Sequence, residues 1–108
     1  MQTVLPWRGK PRKAERRVTI DDLQRQIDEL QRSRNTLAQQ VGGTADPAWR
    51  RCVQIVGEAL ARGHIRLKDA IAYHDRGEGE YAARAIERVD QELATAHAAL
   101  NEWRERNG

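Results

Sequence analysis

The sequence predicts an all-α protein built on two long amphipathic helices, at about residues 19–41 and 79–106. Two observations support this fold class. Apolar residues recur in both segments at alternating steps of three and four, the heptad spacing of a helix that packs along one stripe. No proline interrupts either segment, and a glycine follows the last residues of each, as is typical of helix ends.

The last third of the chain has the more regular pattern. A helix over residues 79–106 is roughly 40 Å long at 1.5 Å per residue. Its apolar stripe is narrow, so it has to lie against a partner of similar length. The stripe consists of Ala82, Ile86, Val89, Leu93, Ala96, Leu100 and Trp103.

The first long helix is predicted to begin at Thr19. Thr19 with Asp22 has the spacing of a capping box, and Val18 with Leu23 that of a hydrophobic staple. Arg34 interrupts the apolar stripe. It is either a side chain that reaches solvent at the interface edge or a register-setting residue paired with a carboxylate. The stripe consists of Ile20, Leu23, Ile27, Leu30, Arg34, Leu37 and Val41.

Two shorter helices are predicted between the long ones. Asp46 and Pro47 are typical of an N-cap and a first helical residue. Gly63 is predicted to end this helix, and a second short helix follows at about 67–76. In the simplest arrangement the long helices pack as an antiparallel hairpin or coiled-coil-like bundle, which the short pair closes at one end. A helix-turn-helix formed by the short pair is an alternative.

The charge of the chain is unevenly distributed around a formal net charge of +3. Residues 1–18 contain six basic residues and one acidic residue, whereas residues 77–108 contain four basic and seven acidic residues. Pro6 and Pro11 prevent a continuous helix near the N-terminus. We therefore predict an extended basic arm at 1–18, a single helical domain at 19–108, and an anionic partner for the front half.

The arm contains Arg8-Gly9-Lys10-Pro11, followed by Arg12 and Lys13. This stretch resembles an AT-hook, a short motif centred on Arg-Gly-Arg-Pro, although Lys10 stands in place of the second arginine. The resemblance implies binding in the A·T minor groove, where negative potential is concentrated. General phosphate binding by the same side chains and docking of the arm on an acidic protein surface are the alternatives.

These features predict a non-enzymatic, nucleic-acid-associated or adaptor protein that oligomerises through its helices and binds nucleic acid backbone through its arm. The alternative is a structural or assembly subunit whose arm and seams bind only protein, with Trp7 as an aromatic anchor. The predicted nucleic-acid-binding residues are Arg8, Lys10, Arg12, Lys13, Arg16, Arg17, Arg50 and Arg51. The predicted partner-interface residues are Trp7, Leu23, Ile27, Leu30, Leu37, Ile86, Val89, Leu93, Leu100 and Trp103.

The composition argues against other classes of protein. The sequence has no Gly-rich phosphate loop and no recognisable catalytic motif, so we expect no enzymatic activity, no cofactor and no small-molecule substrate. The histidines and Cys52 lack the spacing of a zinc site, so no metal is expected. A lone cysteine is typical of a cytoplasmic protein. Since no apolar run of about 18 residues occurs, we expect no membrane partner.

Overall fold

The computed structural model describes residues 12–41 and 46–107. Over these residues the chain forms three α-helices of 29 residues each. They are α1 (Lys13–Val41), α2 (Pro47–Asp75) and α3 (Gly79–Asn107). The all-α prediction is confirmed, and the long helix predicted at 79–106 corresponds to α3. The predicted count of two long and two short helices is wrong.

The two short helices predicted between the long ones are a single helix, α2. Asp46 and Pro47 start it as predicted, since the Asp46 carboxylate accepts a hydrogen bond from the Ala48 amide at 2.9 Å. Gly63 does not end this helix but lies buried inside it. A Cβ on Gly63 would lie 3.5 Å from the Cβ of Glu92 on α3. Because α2 has no turn at this point, the helix-turn-helix alternative is also wrong.

The end of α2 is a Schellman motif. Gly77 has a φ of 78°, in the left-handed region that glycine adopts at low cost. The Gly77 amide donates to the His74 carbonyl at 3.0 Å, and the Glu78 amide donates to the Tyr73 carbonyl at 2.9 Å. The chain therefore reverses over residues 76–78, and α3 returns antiparallel along α2.

The start of α1 is Lys13 rather than Thr19. The Arg12 amide donates to Glu15 Oε1 at 2.8 Å, which is one half of a capping box. Thr19 lies inside the helix, and its hydroxyl donates to the Glu15 carbonyl at 2.9 Å. The predicted capping box at Thr19 and the extended conformation predicted for residues 13–18 are therefore wrong. The rest of the predicted arm, residues 1–11, lies outside the described residues.

The two long helices that were expected to be antiparallel, α1 and α3, run parallel. Their N-terminal ends meet where a Cβ on Gly79 would lie 2.9 Å from Arg16 Nη1. Their C-terminal ends meet where Leu37, Leu100 and Trp103 line one recess. Two short connections reverse the chain twice, so the third helix regains the direction of the first. The antiparallel arrangement of the long helices, with a short helical pair closing one end, is therefore wrong.

Most residues of the heptad stripes of α1 and α3 are buried in the core of the same chain. The most extensive helix pair is α2 with α3. Both helices carry fully buried alanines, Ala59 and Ala70 on α2 and Ala82 and Ala96 on α3, and such small residues allow close approach of the helix axes. Of the predicted partner-interface residues, the structure buries Leu23, Ile27, Leu30, Leu37, Val89, Leu93 and Leu100, and packs the partly buried Ile86 and Trp103 against them. Packing within one chain accounts for these residues, and Trp7 lies outside the described residues.

Candidate nucleic-acid interface

The predicted cations lie at two separate ends of the bundle. Arg12, Lys13 and Arg17 are exposed at the start of α1, whereas Arg50 and Arg51 are exposed in the first turn of α2. Helices α1 and α2 are antiparallel, because the late α1 residue Leu37 accepts a hydrogen bond from the early α2 residue Trp49 at 3.3 Å. The two groups are therefore roughly 30 Å apart along the bundle and do not form one patch.

Arg16 differs from the other predicted cations because it is buried, with 8% of its surface exposed. Its guanidinium lies against Gly79, at the first residue of α3. A side chain buried in this way offers a nucleic acid little surface, so Arg16 is the least accessible of the predicted cations that the structure describes. The sequence spacing could have indicated this burial, because Arg16 lies four residues before Ile20 and so on the same face of α1 as the buried stripe. Arg8 and Lys10 lie outside the described residues.

Most of the cations that the structure brings together were not predicted from the sequence. They lie along the groove between α2 and α3, on the side that α1 does not cover, and we call this surface the arginine face. Its residues recur at steps of three, four and seven, so each set forms a straight stripe along its helix. The stripe of α2 consists of Arg51, Ile55, Arg62, Arg66 and Tyr73, and that of α3 consists of Tyr81, Arg84, Arg88, Gln91, Thr95, Glu102 and Arg106. Arg76, in the turn, completes the arginine face.

The middle of the arginine face is an open recess of about 350 Å³ that contains three arginines. Arg62 Nε lies 3.0 Å from Glu92 Oε1, and this ion pair bridges α2 and α3. Arg66 pairs with Asp69 of its own helix at 3.4 Å. Arg88 has no carboxylate partner among the described residues. The recess is lined by Arg62, Ile65, Arg66, Arg88, Gln91 and Glu92, so only one carboxylate belongs to its wall.

A larger open recess of about 770 Å³ lies at the end formed by the start of α2 and the end of α3. Arg51 and Arg106 line it, and neither has a carboxylate partner within the described part of the chain. Glu102 and the partly buried Trp103 also contribute to its wall. This recess thus combines one aromatic side chain and two guanidinium groups with two carboxylates, Asp46 and Glu102.

Cys52 lies at the base of the larger recess and is a packing residue. It is buried, and its thiol donates to the Ala99 carbonyl of α3 at 3.5 Å. Burial raises the pKa of the Cys52 thiol, the negative charge of Glu102 raises it further, and Arg104 opposes both effects. The thiol is therefore protonated near neutral pH, and a protonated thiol is a poor nucleophile.

The opposite end of the arginine face carries two adjacent, mutually tilted aromatic rings and two guanidinium groups. The ring centroids of Tyr73 and Tyr81 are 5.4 Å apart, and the ring planes are inclined by 31°. Arg76 Cζ lies 5.2 Å from the centre of the Tyr73 ring, and Arg84 Cζ lies 5.7 Å from that of Tyr81. These distances are within the range of cation–π contacts. Tyr81 remains 53% exposed.

The distribution of charge distinguishes the arginine face from the outer surface of α3. On the arginine face, exposed ion pairs join Arg76 to Glu78 at 3.0 Å and Arg84 to Glu80 at 3.6 Å. Exposed ion pairs of this kind contribute little stability, so a phosphate group can displace such carboxylates at low cost. The outer surface of α3 carries the exposed acids Glu87, Asp90 and Glu105.

No protein-family model, curated protein or solved structure matches the chain. Among the described residues, no group of three or more His, Cys, Asp and Glu side chains is arranged to hold a metal ion. Within the same residues, no helix has an apolar stretch long enough to cross a membrane. The candidate site is a surface of exposed guanidinium and aromatic groups between α2 and α3.

Proposed function

We propose that the protein is a non-enzymatic helical protein that binds nucleic acid backbone along its arginine face. The observation that supports this function best is the grouping of Arg62, Arg66 and Arg88 around one recess that has a single carboxylate in its wall. Guanidinium groups bind phosphate through two parallel hydrogen bonds, which gives them both strength and geometric fit. From Arg51 to Arg76 the arginine face extends about 38 Å along α2.

The exposed cations at the start of α1 extend this proposal. The side chains of Arg12 and Lys13 have no carboxylate partner among the described residues, and that of Arg17 pairs only loosely with Asp21, at 3.6 Å. These cations lie at the same end of the bundle as Tyr73. An anionic chain that extends beyond the arginine face at this end therefore passes near them. Their contribution is sequence-independent attraction to phosphate.

The AT-hook-like stretch of the arm is a separate part of the proposal. If it binds the minor groove, the full chain prefers A·T-rich over G·C-rich duplex of equal length. Replacing Arg8 and Lys10 by Ala then removes the preference and leaves binding through the arginine face. A wild-type chain without such a preference contradicts minor-groove binding but not backbone binding.

Fluorescence anisotropy with labelled DNA tests the proposed function. The double variant Arg62→Ala/Arg88→Ala should bind about tenfold or more weakly, and the slope of log K against log salt should fall by about two, one for each phosphate contact. The matched control is Arg25→Ala/Arg32→Ala, which removes the same charge from α1, including one ion-paired arginine. Equal losses in the two variants, or no salt-dependent binding by the wild type, would refute the proposal.

A protein-binding adaptor or assembly subunit is the second candidate function. Ile65 is 57% exposed between Arg62 and Arg66, and arginine and aromatic side chains like those of the arginine face are enriched in protein interfaces. An adaptor of this kind forms a complex of defined stoichiometry that persists at high salt and contains no nucleic acid. Light scattering, with absorbance at 260 and 280 nm before and after a salt wash, separates the two functions. For either function we propose a cytoplasmic location, which fits the unpaired Cys52 thiol.

A further inference from the structure

We infer that Tyr81, supported by Tyr73, is a stacking site for an unpaired nucleobase, and that the ligand of the arginine face is single-stranded nucleic acid. The inference deepens the proposed function and rests on it. Stacking on an exposed aromatic ring requires a base that is free on one face. The bases of a duplex are already stacked on each other, so only a single strand gains affinity from the tyrosines.

The geometry gives Tyr81 a rigid support. Tyr73 packs against the hydrophobic core, and its ring lies 5.4 Å from that of Tyr81. The turn between the two tyrosines is held by the hydrogen bonds of Glu78 and Gly77 to α2. The ring of Tyr81 is therefore positioned before any ligand arrives, which reduces the conformational entropy that binding would otherwise remove.

Arg84 covers the ring of Tyr81 only loosely. Arg84 Cζ is 5.7 Å from its ring centre, near the outer limit of a cation–π contact. The carboxylate partner of Arg84 is Glu80 at 3.6 Å, in an exposed pair. A base that stacks on Tyr81 displaces Arg84 at low cost, and the guanidinium is then available for the phosphate of the same nucleotide.

The positions of the neighbouring arginines fit a strand that runs from Tyr81 into the α2–α3 groove. Arg84 and Arg88 are one helical turn apart on α3, roughly 6 Å along its axis. The next guanidinium across the groove is Arg62, which lines the same recess as Arg88. A single strand anchored by one base on Tyr81 therefore meets successive cations along its backbone.

The test measures anisotropy of the full chain with labelled thymidine and uridine 15-mers and with a mixed-sequence duplex of the same length. Tyr81→Ala should weaken single-strand binding about tenfold or more, as expected for the loss of one stacked base, and should change duplex binding less than twofold. Tyr81→Phe keeps the ring and should bind as the wild type does. Val18→Ala, which removes a 68% exposed side chain from α1, is the control for loss of apolar surface. Comparing the thymidine and uridine strands shows whether the strand is DNA or RNA.

The outcomes distinguish failure of the base-stacking inference from failure of the proposed function. Equal effects of Tyr81→Ala on single strand and duplex, or no effect on either, overturn base stacking and leave backbone binding intact. Absence of salt-dependent binding to every probe overturns the proposed function itself. Photocrosslinking of a 5-iodouracil strand to the wild-type chain is an independent measurement that does not depend on the folding of a variant. A crosslink at Tyr81 or Tyr73 is expected, and crosslinks confined to other residues contradict the inference.

Discussion

The guanidinium group of Arg34 on α1 lies against the backbone of Gly57 on α2. A Cβ on Gly57 would be 2.9 Å from Arg34 Nε, and this nitrogen donates a hydrogen bond to the Val53 carbonyl at 3.4 Å. The pairing of Arg34 with a carboxylate, one of the two predictions made from the sequence, is therefore wrong. Arg34 crosses the helix interface and binds backbone, and Gly57 leaves the space that this requires.

The contact predicts that the effect of Gly57→Ala depends on Arg34. Alanine is more favourable than glycine inside a helix by about 0.5–1 kcal/mol, but the new Cβ displaces the guanidinium and removes a hydrogen bond of about 1 kcal/mol. We expect Gly57→Ala to change the free energy of unfolding by less than about 0.5 kcal/mol in the wild type. In an Arg34→Ala background it should stabilise by about 0.5–1 kcal/mol. Urea unfolding of the four proteins measures the difference, and identical effects in both backgrounds contradict the contact.

Gly63 provides a second prediction, which distinguishes the continuous helix α2 from the predicted helix that ends at Gly63. A Cβ at this position meets only Glu92 Cβ, at the ordinary contact distance of 3.5 Å. Because Gly63 lies inside a continuous helix, Gly63→Ala should raise the free energy of unfolding by about 0.5–1 kcal/mol. Had Gly63 been a left-handed helix end, alanine would destabilise instead. Gly63→Leu is the control, since a large side chain at this close approach should cost about 1–3 kcal/mol.

The same glycine shows where the sequence pattern is insufficient. In the sequence, a glycine between two apolar stretches that ends a helix cannot be distinguished from one inside a helix that allows a second helix to pack closely. The contact with Glu92 on α3 decides between these two uses, and that contact is a tertiary one. The all-α class and the bounds of α3 are predictable because they depend on local spacing alone.

The candidate site was missed for the same reason. Arg51 and Arg66 belong to one stripe only if α2 is continuous through Gly63. With α2 divided into two helices, they belong to separate elements whose relative orientation the sequence does not give. Their alignment with the arginines of α3 depends further on the antiparallel turn at Gly77. The arginine face, which α2 and α3 form together, can therefore be predicted only when the number of helices is predicted correctly.

Gly77 gives a third prediction, which concerns backbone conformation alone. Its φ of 78° is unfavourable for residues with a Cβ, and no atom lies within 4 Å of the position a Cβ would take. Gly77→Ala should therefore lower the free energy of unfolding by about 1–2 kcal/mol. Gly77→Asn should cost less, because asparagine tolerates this region better. Urea unfolding measures both variants, and an alanine variant as stable as the wild type contradicts the left-handed conformation.

Cys52 gives a fourth prediction, in which stability depends on pH. The pKa of the buried thiol is raised in the folded state, first by burial and then by the charge of Glu102. In the unfolded chain the thiol ionises near its ordinary value of about 8.5. As pH rises through that value the unfolded state loses its proton while the folded state retains it, so the unfolded state is favoured. The stability difference between the wild type and Cys52→Ala should therefore shrink between pH 7.5 and pH 9.5, as measured by urea unfolding.

The alkylation rate of the native thiol checks the same pKa without unfolding the protein. Iodoacetamide reacts with the thiolate, so the raised pKa should make Cys52 react more slowly at pH 8 than a free thiol of ordinary pKa. Glu102→Gln removes a negative charge that raises the pKa, and the reaction should become faster because the thiolate is then less unfavourable. Glu105→Gln is the matched control, since it removes the same charge from the outer surface of α3 and should leave the rate unchanged. An equal acceleration in both variants would show that general opening of the bundle, and not the charge beside Cys52, controls the reaction.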